Sequence, residues 1–215
     1  MGTLYDATWG RAFAAIYDRG LKSVEQAGLR EMRRELLSQA EGRTIDLGAG
    51  TGANFDLFPE AVSKLVMVEP GQHMIRQLRA KVGGRGGLEV VQASAQELPF
   101  PDDSFDTAVF TLVLCTVPDP AAALRETARV LRPGGKLLFI EHVRAEGTSL
   151  ARWQDRVEKP WRFFADGCHC NRDTVAAIEA SPLRLDQVEQ GALPKAPPII
   201  RPVVSGVAVA VAVAA

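Results

Sequence analysis

The chain has 215 residues, 47% hydrophobic and 24% charged, which excludes disordered, collagen-like and coiled-coil architectures and leaves enough core for one large domain without disulfides or metal. Its 25 basic and 26 acidic residues give a net charge of −1, without the basic surplus of a nucleic-acid binder. Three cysteines, and an N-terminal stretch that mixes Tyr5, Asp6 and Trp9 without an apolar core, predict a reducing, cytoplasmic setting.

Residues 1–40 read as helical. Leu21, Val24, Leu29, Met32 and Leu36 recur at three- to five-residue steps, and Lys22, Glu25, Arg30, Arg33, Arg34 and Glu35 fall on the other face. Gly42 ends this helix. From residue 44 onward, short apolar runs at 44–47, 65–68, 88–91, 105–114 and 136–140 alternate with helix candidates at 53–58, 72–82 and 121–131. Pro120 suits a first helical turn, and Pro133-Gly134-Gly135 a sharp stop. This rhythm predicts an α/β fold, a parallel sheet with helices on both faces. Past Glu141 the rhythm breaks. Trp153, Trp161, Phe163 and Phe164 crowd into 143–170, a helix follows at 172–180, and late strands start at 183 and 199. The uncharged tail from Val203 is too short for a membrane-spanning helix, which needs about 20 residues, and reads as a buried strand.

Asp46-Leu47-Gly48-Ala49-Gly50-Thr51-Gly52 follows the first strand and opens the next helix candidate. Glycines there allow a tight turn and close approach to a ligand. Gly48, Gly50 and Ala53 also satisfy a loose dinucleotide fingerprint, which makes NAD a rival cofactor. Glu69 ends the second strand, where a carboxylate accepts hydrogen bonds from ribose hydroxyls. Asp46, at the mouth of the loop, would repel a pyrophosphate and attract an ammonium and a sulfonium. That preference points to S-adenosylmethionine.

Four stretches, 46–52, 68–70, 96–106 and 129–135, closely resemble, in order and spacing, the motifs of class I S-adenosylmethionine-dependent methyltransferases. The resemblance covers about residues 40–142. It implies a Rossmann-like seven-stranded sheet of order 3-2-1-4-5-7-6 with an antiparallel seventh strand, which residues 203–212 would supply. It implies S-adenosyl-L-methionine as cofactor and S-adenosyl-L-homocysteine as product. Carried over by position, Gly48, Ala49, Gly50 and Gly52 pack on the methionyl part, with Asp46 and Asn54 beside them. Glu69, followed by Pro70, binds ribose, and Met74 lies on the adenine face. Ser94, Ala95 and Gln96 read the adenine edge, Ser94 standing where many relatives carry aspartate. Thr111 and Leu112 border the cofactor, and Cys115 the acceptor. By the same resemblance 1–40 form a helical lid and 41–215 the catalytic domain, with 143–182 an aromatic acceptor-pocket insertion.

Residues 110–115, Glu141-His142-Val143, Asp166-Gly167-Cys168 with Arg172, and Arg201-Pro202 with Gly206 resemble the animal alkyl-thiol S-methyltransferases of the microsomal membrane. This implies a small lipophilic acceptor, most specifically a thiol. The alternatives are transfer to N, O or C of a lipid, quinone-like or natural-product acceptor, and a cofactor-binding scaffold without catalysis. The long hydrophobic N-terminal anchor of the animal enzymes has no counterpart here, so the expectation is no stable membrane anchor, no nucleic acid, and a monomer or weak dimer.

A thiol must lose its proton, which titrates near 8.5, to become the nucleophile. His142, ending the fifth strand, is the candidate base; its other role would be to tie down the following loop. Asp166 orients His142 or holds a loop. Trp153, Trp161, Phe163 and Phe164 roof an acceptor pocket or are ordinary core contacts. Cys168-His169-Cys170 predicts no metal, because ligands so close in sequence cannot readily surround a tetrahedral zinc and the chain has no second cysteine pair. Tyr5-Asp6 and Tyr17-Asp18, flanking Phe13, resemble the lid helix of quinone-pathway methyltransferases, in which Tyr17 closes over the cofactor.

Overall fold

The computed structural model describes residues 9–84 and 87–211; Tyr5, Asp6 and the tail beyond Val211 lie outside the described residues. Helix α1 (Arg11–Val24) and helix α2 (Arg30–Leu37) come first. Between them the wide turn Glu25–Leu29 holds Gly28 at φ 147°, outside helical geometry. The N-terminal helical stretch is therefore two segments with a kink, which glycine allows because it has no Cβ.

The α/β unit follows: β1 (Gly42–Leu47), β2 (Val62–Val68), α3 (Gln72–Val82), β3 (Leu88–Val91), β4 (Phe105–Thr111), α4 (Pro120–Val130) and β5 (Leu131–His142). Then come α5 (Thr148–Phe164), α6 (Thr174–Glu179), β6 (Leu183–Ala192) and β7 (Pro202–Ala210). The strand order is β3-β2-β1-β4-β5-β7-β6. β1 to β5 pair in parallel, and β7 runs antiparallel to both β5 and β6. The expected topology is thus present, with β7 formed from the uncharged tail.

The central strands are buried on both faces, unlike the largely exposed β6, and their alternation sorts three clusters, one of which sets Leu65 and Met67 against Leu78 and Val82 of α3. Ile45, Leu47, Val66, Val68, Ala108, Phe110, Leu137 and Phe139 face Leu124, Val130 and Ile178 of α4 and α6. Val109, Leu138 and Ile140 face Leu36, Leu37 and the segment carrying Cys168 and Cys170. Gly206 lets β7 close on its neighbours. A Cβ there would lie 2.2 Å from the Gln187 carbonyl oxygen and 2.7 Å from Cζ of Phe139.

Three expected elements differ. No α-helix forms over 53–58; a short 3₁₀ turn, Phe55–Leu57, stands there. Phe58 precedes Pro59 and is extended at ψ 136°, as a residue before proline must be. Helix α4 stops at Val130, so Pro133-Gly134-Gly135 falls inside β5 at an irregular register against Phe105 and Thr107. Arg33, placed on the polar face, is 2% exposed.

Parallel β1, β2, β4 and β5 send their C-terminal ends to one edge, where open α/β sheets bind ligands. Asp46, Glu69, Thr111 and His142 all arrive there.

Candidate active site

The loop after β1 turns through left-handed backbone at Gly48 (φ 67°), Gly50 (φ 56°) and Gly52 (φ 84°). The glycines do different work. A Cβ on Gly48 would strike Val113 at 2.6 Å and one on Gly52 would strike Leu78 at 2.8 Å, whereas Gly50 faces open space. Two of them let the loop pack on its own protein; the middle one leaves room for a ligand. Glu69 holds the loop: its carboxylate accepts the N–H of Gly50 at 2.9 Å and of Gly71 at 2.7 Å. Burial pushes its pKa up, and those two amide bonds oppose the rise.

Behind the loop lies a buried polar chain. Asn54 donates to Asp46 Oδ1 and to Thr111 Oγ1, both at 2.9 Å, and accepts from Arg33 Nη1 at 2.8 Å. Arg33 also pairs with Glu25 at 3.1 Å. Asn54 therefore ties helix α2, the end of β1 and the end of β4 together. Burial pushes the Asp46 carboxyl up to about 7, against the pull of the Asn54 bond and the Arg33 charge. Its second oxygen, Oδ2, is buried without a hydrogen-bond partner among the described residues. An unmet acceptor beside an open glycine turn suits a cationic ligand.

Helix α1 lies on the loop. Asp18 accepts from Thr51 at 2.6 Å, and Gln77 donates to the Ala14 carbonyl at 2.7 Å. Tyr17 turns its phenol inward, where burial pushes it up to about 12 and the charges of Arg33 and Cys115 reach it. On the adenine side, Met74 packs against Gly71, and the exposed Pro70 accepts from Gln92 at 3.2 Å. Ser94 Oγ accepts the N–H of Gln96 at 3.2 Å, fixing a tight turn beside buried Ala95.

The acceptor side is organised by Glu141. Fully buried, it accepts the N–H groups of Val113 and Leu114 at 2.8 Å and of Cys115 at 3.1 Å. This clamps the turn after β4, in which Leu112 takes a left-handed φ of 61° and donates to Ile140 at 2.7 Å. Burial pushes the Glu141 pKa up while those amides hold it down. The His169 N–H donates to the Cys115 carbonyl at 2.8 Å, and Arg172 donates to the carbonyls of Leu114 and Val117. Two distant chain segments are thereby locked side by side.

Between them three buried groups converge. His142 Nδ1 lies 3.7 Å from Cys115 Sγ and 3.6 Å from Cys168 Sγ, and the sulfurs are 3.9 Å apart. Cys168 is the more acidic thiol: the Cys115 thiol and the His142 ring favour its thiolate against burial, while the buried Trp161 Nε1 has no hydrogen-bond partner among the described residues. His142 Nε2 is buried and has no hydrogen-bond partner among the described residues.

Asp166 sits in a left-handed turn (φ 48°) after α5, and its charge acts on Glu69. The tripeptide 168–170 splits three ways. Cys168 joins His142, His169 pairs with Glu158 at 2.9 Å, and Cys170 faces the Gln154 carbonyl at 3.8 Å. Of the aromatic residues, Trp161 packs into the core behind Cys168. Trp153 and Phe164 are about half exposed, Phe164 meeting Trp9 edge-on at 5.8 Å.

Sequence reasoning assigned no role to Glu141 or Gln154 and misplaced Arg33. Arg33 had a signal, since it falls on the stripe of Leu29, Leu36 and Leu37 at helical spacing. Glu141 also had one, as a charge ending an apolar strand. Gln154 had none. It is fully buried, accepting from Ala145 and donating to the Val143, Cys170 and Ile199 carbonyls.

A model of the methyltransferase domain family matches residues 45–139. Thiol S-methyltransferase TMT1B of Rattus norvegicus is 34% identical over 189 residues, covering 82% of this chain and 75% of that protein. The chain belongs to the class I S-adenosylmethionine-dependent methyltransferases. The methyltransferase is also 32% identical over 181 residues to phosphatidylethanolamine N-methyltransferase of Cereibacter sphaeroides, covering 82% of this chain and 85% of that one. In fold it resembles the solved structure of a S-adenosylmethionine-dependent methyltransferase of Thermotoga maritima, a possible histamine N-methyltransferase. The TM-score is 0.69 at 22% identity, over 93% of this chain and 97% of that one. Among the described residues of the methyltransferase, no helix is long and apolar enough to cross a membrane.

Proposed function

We propose that this methyltransferase methylates the sulfur of a small lipophilic thiol. The observation that carries the reading is His142, a buried imidazole at the ligand edge of β5 whose Nε2 has no hydrogen-bond partner among the described residues. The similarity to thiol S-methyltransferase TMT1B supports it. When bound, S-adenosylmethionine supplies an electrophilic methyl group on a sulfonium. Asp46 and the Gly50 turn would hold its charged amino-acid end, Glu69 its ribose, and Met74 with Ser94, Ala95 and Gln96 its adenine. Tyr17 and helix α1 would cover the site and exclude water. The Nδ1 side of His142 faces the cysteine sulfurs, which leaves Nε2 to accept the thiol proton and pass it to solvent. Asp166 would steady the cofactor side.

A second reading is a lipid amine acceptor. It is favoured by exposed Ile16, Phe163 and Phe164 around the lid and by the similarity to the phosphatidylethanolamine N-methyltransferase. Incubation with labelled cofactor, with a panel of thiols and separately with phosphatidylethanolamine vesicles, separates the two. Labelled thioether supports the thiol reading; labelled lipid with unlabelled thiols overturns it. Loss of all cofactor binding by calorimetry would point to neither.

A further inference from the structure

We propose that Cys115, His142 and Cys168 form a binding site for one soft divalent cation, zinc in the first place, with three protein ligands and one open vertex. Zinc bound tetrahedrally at about 2.3 Å from sulfur and about 2.05 Å from nitrogen spaces two sulfurs roughly 3.8 Å apart, and sulfur and nitrogen roughly 3.5 Å apart. The three edges measured here are 3.9, 3.7 and 3.6 Å. Each lies about 0.2 Å or less from the tetrahedral value, the tolerance of a real site. No other His, Cys, Asp or Glu among the described residues joins the group. Three protein ligands with a vacant fourth position is the pattern of catalytic rather than structural zinc.

The site is held rigid before any cation arrives. Glu141 fixes the backbone N–H of Cys115, and His169 bonds the Cys115 carbonyl. Arg172 braces the same turn from the Cys168 side. All three ligands are buried, at 1%, 7% and 5% exposure. A cation carrying two positive charges on two thiolates and a neutral imidazole leaves no net charge in this interior. Spacing in the sequence argued against metal because it considered Cys168-His169-Cys170 as a local chelate. The fold takes one cysteine from that tripeptide and recruits the others from the ends of β4 and β5.

The part that concerns the reaction rests on the thiol-acceptor reading above. The acceptor sulfur would take the fourth vertex: its S–H bond breaks, the proton leaves to solvent, and the sulfur stays on the cation as thiolate. In the loaded protein the cation does what His142 Nε2 does without it.

The test uses the reduced full-length protein, stripped with a chelator and then titrated with Co²⁺ or Zn²⁺ alone. Expected are about one equivalent per chain and the thiolate-to-cobalt charge-transfer band of a four-coordinate site, displaced by zinc. C115S and C168S should each weaken uptake by at least about tenfold, while C170S should leave it unchanged. Cofactor binding by calorimetry reports that each variant is folded. Adding 1-hexanethiol to the cobalt form should shift the visible bands. Negligible uptake by the folded wild-type protein, or equal uptake by C115S and C168S, overturns the site. Cobalt bands indifferent to 1-hexanethiol overturn the fourth-vertex assignment. A thiol panel left unmethylated by a protein that still binds cobalt overturns the acceptor reading and not the cation site.

Discussion

The two halves of the ligand edge are built in different ways. The cofactor half draws Asp46, the glycine loop and Asn54 from one short stretch, adds Glu69 from the next strand, and joins them by short hydrogen bonds. The acceptor half gathers Cys115, His142, Cys168 and Arg172 from separate segments and relies on a buried carboxylate, Glu141, to hold them. The glycine-loop side is therefore built locally in the chain, and the side of Cys115, His142 and Cys168 by tertiary contacts.

If the halves are separable, substitutions should divide between binding and turnover. The largest expected effect is His142→Ala, with turnover on a thiol falling roughly 100-fold or more and cofactor affinity unchanged. Single-turnover kinetics beside calorimetry measures both; a large loss of affinity would mean that the halves are coupled. Glu69→Ala should do the converse. It removes a carboxylate that accepts two loop amides and should weaken cofactor binding roughly 10- to 100-fold, read by the same titration.

The pH response sharpens the contrast. Burial pushes the Asp46 carboxyl up to about 7 from its ordinary value of 3.8, against the pull of Asn54 and Arg33. Between those values the folded chain holds a proton that the unfolded chain has lost. This group's stabilising contribution is therefore full at low pH and disappears as pH rises through about 7. A cationic cofactor favours the carboxylate and expels that proton. Affinity should be roughly tenfold weaker at pH 6 than at pH 8, with proton release on binding, and Asp46→Asn should flatten the profile. Calorimetry in buffers of different ionisation enthalpy measures this directly. The smallest effect is expected from Trp153→Ala. Trp153 is 45% exposed, so stability should move by no more than about 0.5 kcal/mol and turnover should hold; thermal melts and the thiol assay check both.

Most of the fold was legible because the strands announce themselves as apolar runs and the motifs between them keep their order. The glycine loop, Asp46 and Glu69 meet at the ligand edge because they lie close together in the chain. What escaped was whatever depends on contacts between distant segments. Arg33 looks like a surface cation until Asn54 is placed opposite it. Gln154 looks like an ordinary helix residue until four backbone groups of separate loops are found around it. The helix expected after the glycine loop failed because Asn54 turns inward to Asp46 and Thr111 and Pro59 forces Phe58 into an extended backbone. Asp166, expected to orient His142 or to hold a loop, stands in a left-handed turn at 166–167 from which its charge reaches Glu69.

A thiol sulfur as the acceptor atom is tested most directly by mass spectrometry of products formed from methyl-labelled S-adenosylmethionine and a panel of lipophilic thiols, amines, phenols and phosphatidylethanolamine vesicles. Labelled thioethers should form, faster than in buffer and suppressed by His142→Ala. Labelled amines or lipids, with every thiol returned unmethylated, would contradict it.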